Sequence, residues 1–214
     1  MRAVVFANGI MNKWPSGFGL SMKRDLIIAA DGGFNHCRKW NVIPHVLIGD
    51  MDSVNPSELE AISTGGIEIQ RFPVKKDDTD LHLALQLAID RNAREIILLG
   101  ALGDRWDMTL ANVLILTAPL LRGVRVKILD GTCELLCLHD HQAINIDGKP
   151  GCVVSLIPLT GPVRGVTLSG FEYTLDNETL AVGTTRGISN IIKEDTAEIA
   201  IENGILLVVI DRGC

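Results

Sequence analysis

Four short stretches of this chain bear carboxylates, one in the first and two or three in each of the others: Asp31-Gly32-Gly33, Asp50-Met51-Asp52-Ser53, the run Asp77-Asp78-Thr79-Asp80, and Asp104-Arg105-Trp106-Asp107. Like charges this close repel one another unless a cation sits among them. Hard oxygen donors suit Mg²⁺, which is usually held by one or two carboxylates together with substrate phosphates. Bases accompany the acids. Lys75 and Lys76 precede the third cluster, and Arg105 in the fourth offers a planar fork suited to a phosphate. Gly32, Gly33, Gly100 and Gly103 let the backbone pass close to a ligand or take up positive φ. Acids for a metal, bases for phosphate and glycines for close approach make a nucleotide-phosphate site. A plainer reading covers part of the third cluster. Asp and Thr are good N-caps, and acids in a first turn favour the helix dipole by about 0.3–1 kcal/mol each. One Asp and Thr79 would suffice for that.

The clusters need elements to carry them, and each follows an apolar run. The runs are Ala3–Ala7, Leu26–Ala30, His45–Ile48, Ile67–Phe72, Ile96–Leu99 and Val124–Leu129. Positions apolar in succession suggest strands buried on both faces, as in a parallel sheet. Helical spacing lies between them. Leu81, Ala84, Leu85, Ala88 and Ile89 mark one buried face, and Leu110, Val113, Leu114 and Thr117 begin another. Pro56 opens a shorter helix, PSELEAIS. This is an α/β layer architecture, in which ligands bind beyond the carboxyl ends of the strands. After about residue 130 helical periodicity gives way to short strand-like runs with turn signals: IDGK at 146–149, LTGP at 159–162, LDNE at 175–178 and ENG at 202–204. The Asn-Gly step predicts a hairpin pairing TAEIAI with ILLVVI. The second half reads as a small antiparallel β-sandwich or barrel.

Composition narrows the function classes. The chain has 214 residues, 47% of them hydrophobic, enough for a sizeable core. A net charge of −6 argues against a nucleic-acid or anionic-membrane partner with a broad basic face. No apolar run reaches membrane-spanning length, and MRAVVFANGI lacks the pattern of a signal peptide. Cys37, Cys133, Cys137, Cys152 and Cys214 are odd in number and show no framework, which predicts reduced thiols in a cytoplasmic protein. The P-loop, a complete dinucleotide fingerprint and GxSxG are all missing.

ADGGF, IGDMDS, KDDTDLHLAL, LGALGDRWDMTLANVLIL, VSLIPL and GISN, in this order, resemble thiamine pyrophosphokinase over nearly the whole chain. The resemblance implies a Rossmann-like α/β catalytic domain over residues 1–131, binding ATP and Mg²⁺, and a small all-β thiamine-binding domain over 132–214. It implies transfer of a pyrophosphoryl group from ATP to the hydroxyl of thiamine, giving thiamine diphosphate and AMP, by a homodimer with active sites between subunits. Asp50, Asp52 and Asp80 would bind the metal. Asp31, Gly32, Lys76, Asp77, Thr79, Arg105, Asp107 and Asn112 would line the nucleotide and phosphate site. Ser189 and Asn190 would meet thiamine. An aspartate near the hydroxyl could accept its proton, and Asp31 and Asp80 are both candidates. Such transfer is mostly positioning and charge stabilisation.

Two positions depart from the family pattern GGRxDHxxAN. Met108 stands where a histidine is common, and Asp104 where a glycine is common. The second unit also has no Trp to stack on a thiamine ring, leaving Phe171 and Tyr173. These departures keep two alternatives open: the same chemistry on another alcohol, and a non-catalytic sensor of nucleotide or thiamine diphosphate. His139-Asp140-His141 reads as a solvated turn, Trp14, Trp40 and Met51 as packing residues, and Arg186 as a surface charge.

Overall fold

The computed structural model describes residues 1–51, 65–73, 77–147 and 150–214. These fall into two compact units, Met1–Gly131 and Thr132–Cys214. In the first unit the apolar runs form β1 (Arg2–Phe6), β2 (Asp25–Ala30), β3 (Val46–Gly49), β4 (Glu68–Arg71), β5 (Glu95–Leu99) and β6 (Arg125–Asp130). Neighbours run parallel in the order β6-β5-β1-β2-β3-β4. Every residue of β2 is buried, because β1 and β3 flank it and side chains on both of its faces are covered. In β4, Ile69 packs on the core while Glu68 stays exposed and pairs with Arg91 at 2.8 Å. Chain order reverses about β1, which has β2 on one side and β5 on the other.

Helix α1 spans Gly33–Lys39, α2 Asp80–Asp90 and α3 Trp106–Leu114. Helix α2 carries the expected face: Leu81, Ala84, Leu85 and Ala88 are buried, against β1, β2 and β3. Helix α3 does not. Leu110 is 58% exposed and Leu114 49%, and with Trp106 at 74% they form an outward stripe at i, i+4, i+8. The buried residue of α3 is Asn112. The helix stops at Leu114 because Pro119 follows, and two short 3₁₀ turns, Ile115–Thr117 and Pro119–Leu121, replace the expected continuation. The helix expected at PSELEAIS lies outside the described residues.

Trp14 packs between Phe18 and Trp40, with ring centroids 5.9 and 5.6 Å away. Met51 is buried in the same core. Opposite the acidic edge, Arg2 at the start of β1 grips Asp25 at the start of β2, with contacts of 2.9 and 2.6 Å.

The second unit contains β7 (Cys133–Leu138), β8 (Ala143–Asp147), β9 (Val153–Pro158), β10 (Val163–Ser169), β11 (Leu175–Leu180), β12 (Asn190–Ile191), β13 (Thr196–Ala200) and β14 (Leu206–Asp211). They form two antiparallel groups, β12-β9-β14-β7 and β11-β10-β13-β8, whose inward side chains share one core. The expected hairpin is absent. β13 pairs with β10 and β8, while β14 pairs with β7 and β9. Asn203-Gly204 is instead a crossing from one sheet to the other, and a Cβ at Gly204 would come within 3.1 Å of Val163. A hairpin would have placed both apolar strands in one sheet and left the other sheet's inner face uncovered.

The expectation that all thiols are reduced is also corrected. Cys152 and Cys214 are joined by a disulfide, with Cα atoms 4.9 Å apart. Cys37 and Cys137 take no part in a disulfide, and burial pushes their thiols up to about 12. His139-Asp140-His141 forms a turn in which the Asp140 carboxylate accepts the Gly204 amide at 2.6 Å. Arg186 pairs with Glu178.

Candidate active site

Parallel strands put all their carboxyl ends at one edge, and β1, β2, β3 and β5 deliver polar residues there. Asp31 follows β2 with φ of +48°, in the left-handed region that non-glycine residues rarely adopt. Its amide donates to the Ile48 carbonyl at 2.7 Å, so the end of β3 fixes its backbone. Gly49 permits this approach, since a Cβ there would lie 3.3 Å from the Asp31 Cα. Asp50 comes next, half-buried, before Met51 turns inward with φ of +65°. Asp52 and Lys76 lie outside the described residues.

The two glycines after Asp31 leave room for the end of β1. A Cβ on Gly33 would fall 2.0 Å from the Phe6 carbonyl oxygen, and one on Gly32 would fall 2.1 Å from the Asn8 side-chain oxygen. The close approach expected of Gly32 and Gly33 is therefore made by protein. Asn8 itself was missed in the sequence. Its Nδ2 donates to Asp31 Oδ2 at 3.0 Å. Gly9 is pinned by donation to the Gly100 carbonyl at 2.7 Å and by a 2.8 Å contact between its own carbonyl and His36 Nε2. A single asparagine after a strand carries no spacing signal.

Helix α2 runs from the carboxyl end of β4 back towards the start of β5, so its N-terminus lies at this edge. Thr79 is its N-cap, accepting the His82 amide at 3.2 Å. Asp80 is its first residue and half-buried. Capping thus accounts for Thr79 and Asp80 and leaves Asp77 and Asp78 unexplained. Both are exposed, with Asp78 3.4 Å from His82 Nδ1.

Helix α3 starts at the same edge after β5. Arg105 and Asp107 form an exposed two-point ion pair, with contacts of 3.2 and 2.5 Å. The Arg105 fork holds the Asp107 carboxyl below the usual carboxylate range and is itself pushed up by it. Asn112 is buried and donates to the Ala101 carbonyl at 2.7 Å, tying α3 to the loop after β5. Thr109 does the same for Gly103, accepting its amide at 3.0 Å and donating to its carbonyl at 2.9 Å.

In the second unit, Ser189 is exposed with φ of +58°, and its amide donates to Ser155 Oγ at 3.0 Å. Asn190 is buried. Its amide group clamps Tyr173, accepting from the backbone N–H at 3.0 Å and donating to the carbonyl at 2.7 Å. Phe171 is in the core, whereas Tyr173 is 65% exposed.

Residues 20–128 match the family model described as thiamin pyrophosphokinase, catalytic domain, and residues 141–206 match that of the thiamin pyrophosphokinase vitamin B1 binding domain. A thiamine pyrophosphokinase of Bacillus subtilis is 26% identical over 205 residues, covering 96% of each chain. Thiamine pyrophosphokinase 1 of rice is 33% identical over 176 residues, covering 76% of this chain and 64% of the rice protein. The crystal structure of a thiamine pyrophosphokinase from Bacillus subtilis superposes with a TM-score of 0.87 at 25% identity, covering 100% of both chains.

Proposed function

The chain belongs to the thiamin pyrophosphokinase family, and from that premise we propose that it transfers the pyrophosphoryl group of ATP to the hydroxyl of thiamine, releasing AMP and thiamine diphosphate. The match of both domain models in order, over residues 20–128 and 141–206, is the observation that carries this reading. The acidic edge of the parallel sheet supports it. The proposed nucleotide and phosphate residues are Asp31, Gly32, Lys76, Asp77, Thr79, Arg105, Asp107 and Asn112.

The donor set suits Mg²⁺. Asp50 and Asp80 are half-buried hard oxygen donors, and Mg²⁺ needs only one or two carboxylates when substrate phosphates complete its shell. We assign Asp50, Asp52 and Asp80 to hold it. Bound there, Mg²⁺ would neutralise charge on the β and γ oxygens. Arg105 binds a phosphate and offsets the charge that builds as AMP leaves. The thiamine hydroxyl attacks the β-phosphorus while Asp31 or Asp80 accepts its proton. Ser189 and Asn190 are the proposed thiamine contacts, and Asn190 also clamps Tyr173, whose ring is exposed beside it.

A homodimer is proposed as the working assembly, in the cytoplasm. The outward stripe Trp106, Leu110 and Leu114 supports it, because apolar side chains at helical spacing that find no cover within the first unit suit a partner surface. The reaction is tested by mixing purified protein with ATP, Mg²⁺ and thiamine. AMP and thiamine diphosphate in equal amount support the reading. AMP with another esterified alcohol would redirect it to a different acceptor.

A further inference from the structure

We propose that Asn8 is a positioning residue for Asp31, holding its carboxylate in one orientation across the junction of β1 and β2. The inference rests on the reading that places Asp31 in the active site. An aspartate side chain has two rotatable bonds, and the backbone contact to Ile48 does not fix them. The Asn8 amide does. Its Nδ2 lies 3.0 Å from Asp31 Oδ2, and a carboxylate at neutral pH only accepts, so the NH₂ face of the amide must be turned towards it.

The surroundings are shaped for this contact. The Asn8 amide lies over Gly32 so closely that a Cβ there would sit 2.1 Å from Oδ1, 2.3 Å from Cγ and 2.6 Å from Nδ2. The residue after Asp31 can carry no side chain while Asn8 occupies that space. The base of Asn8 is fixed on both sides: Ala7 donates to the Leu99 carbonyl at 2.8 Å and Gly9 to the Gly100 carbonyl at 2.7 Å. Asn8 thus carries the rigidity of the β1–β5 pairing to a carboxylate at the end of β2. It stands beside the reversal of strand order, where open parallel sheets bind their ligands.

The test is a double-mutant cycle in turnover, with Asn8→Ala and Asn8→Asp each combined with Asp31→Asn. Asn8→Ala is expected to lower kcat about tenfold with KM for ATP within about twofold, and to leave the Tm within about 2 °C. Asn8→Asp keeps the shape but sets a like charge against Asp31, so it should lose more than Asn8→Ala. In the Asp31→Asn background both substitutions should cost less than about twofold. Equal losses in the two backgrounds, or an Asn8→Asp enzyme as active as wild type, would overturn the proposal, since a residue that only fills space behaves that way. Where Asp31→Asn turns over too slowly, product mass spectrometry over a single turnover supplies the rate. Full activity in Asp31→Asn would remove Asp31 from the site, and with it the role of Asn8. An inactive wild-type protein would refute the assigned reaction itself.

Discussion

Arg105 and Asp107, both proposed to line the phosphate site, hold each other in an ion pair at the start of α3. Both are exposed, so their ion pair contributes little to stability. Arg105→Lys retains the charge and loses the bidentate geometry. It is expected to lower kcat/KM for ATP about tenfold with no change in fold, as read by steady-state kinetics and circular dichroism. Asp52→Asn should abolish turnover while leaving Tm unchanged, and retained activity would refute its place in the metal set. The acids were visible in the sequence because they come in clusters after apolar runs. Asn8 was not, because a lone polar residue acquires meaning only when β1 and β2 are side by side. Asn112 matched a family position, yet nothing in its spacing reveals that its amide is committed to Ala101.

Among the elements, the parallel strands were the most readable, since burial on both faces demands uninterrupted apolar runs. Their alignment has its own clamp. Burial pushes the Asp25 carboxyl up, but the Arg2 fork and the Ser21 amide together outweigh it and hold it below the usual range. A folded-state value lowered in this way gives stability that is complete above the unfolded value near 4 and is lost as pH falls through the folded one. Asp25→Asn is therefore expected to cost about 1.5–3 kcal/mol at neutral pH, a deficit that shrinks below about pH 4. Urea unfolding at pH 7 and pH 3.5 measures both. Two element-level expectations failed for physical reasons. Asn-Gly satisfies a tight turn and a crossing between sheets equally well, so local chemistry could not choose; burial of both sheets did. Helical spacing predicted a buried face at Leu110, Val113, Leu114 and Thr117, but spacing alone does not fix which way a face points: Leu110 and Leu114 are exposed and α3 ends before Thr117.

For the whole molecule, the change of character near residue 130 was legible because periodicity itself changes, while the Cys152–Cys214 bond was not, because pairing is a matter of proximity in space. That bond spans 62 residues of sequence, and chain entropy predicts about 4 kcal/mol of stabilisation. Reductant should lower the Tm of the wild type by several degrees and leave that of Cys214→Ser unchanged. Leu110→Glu, on the exposed stripe, should convert the proposed homodimer to a monomer by light scattering without unfolding either unit. The most direct measurement is product identity. Protein incubated with ATP, Mg²⁺ and thiamine should yield AMP and thiamine diphosphate in equal amounts by mass spectrometry, and should yield neither once Mg²⁺ is chelated. ADP with thiamine monophosphate, or folded protein that binds ATP and releases no AMP, would contradict pyrophosphoryl transfer by this chain.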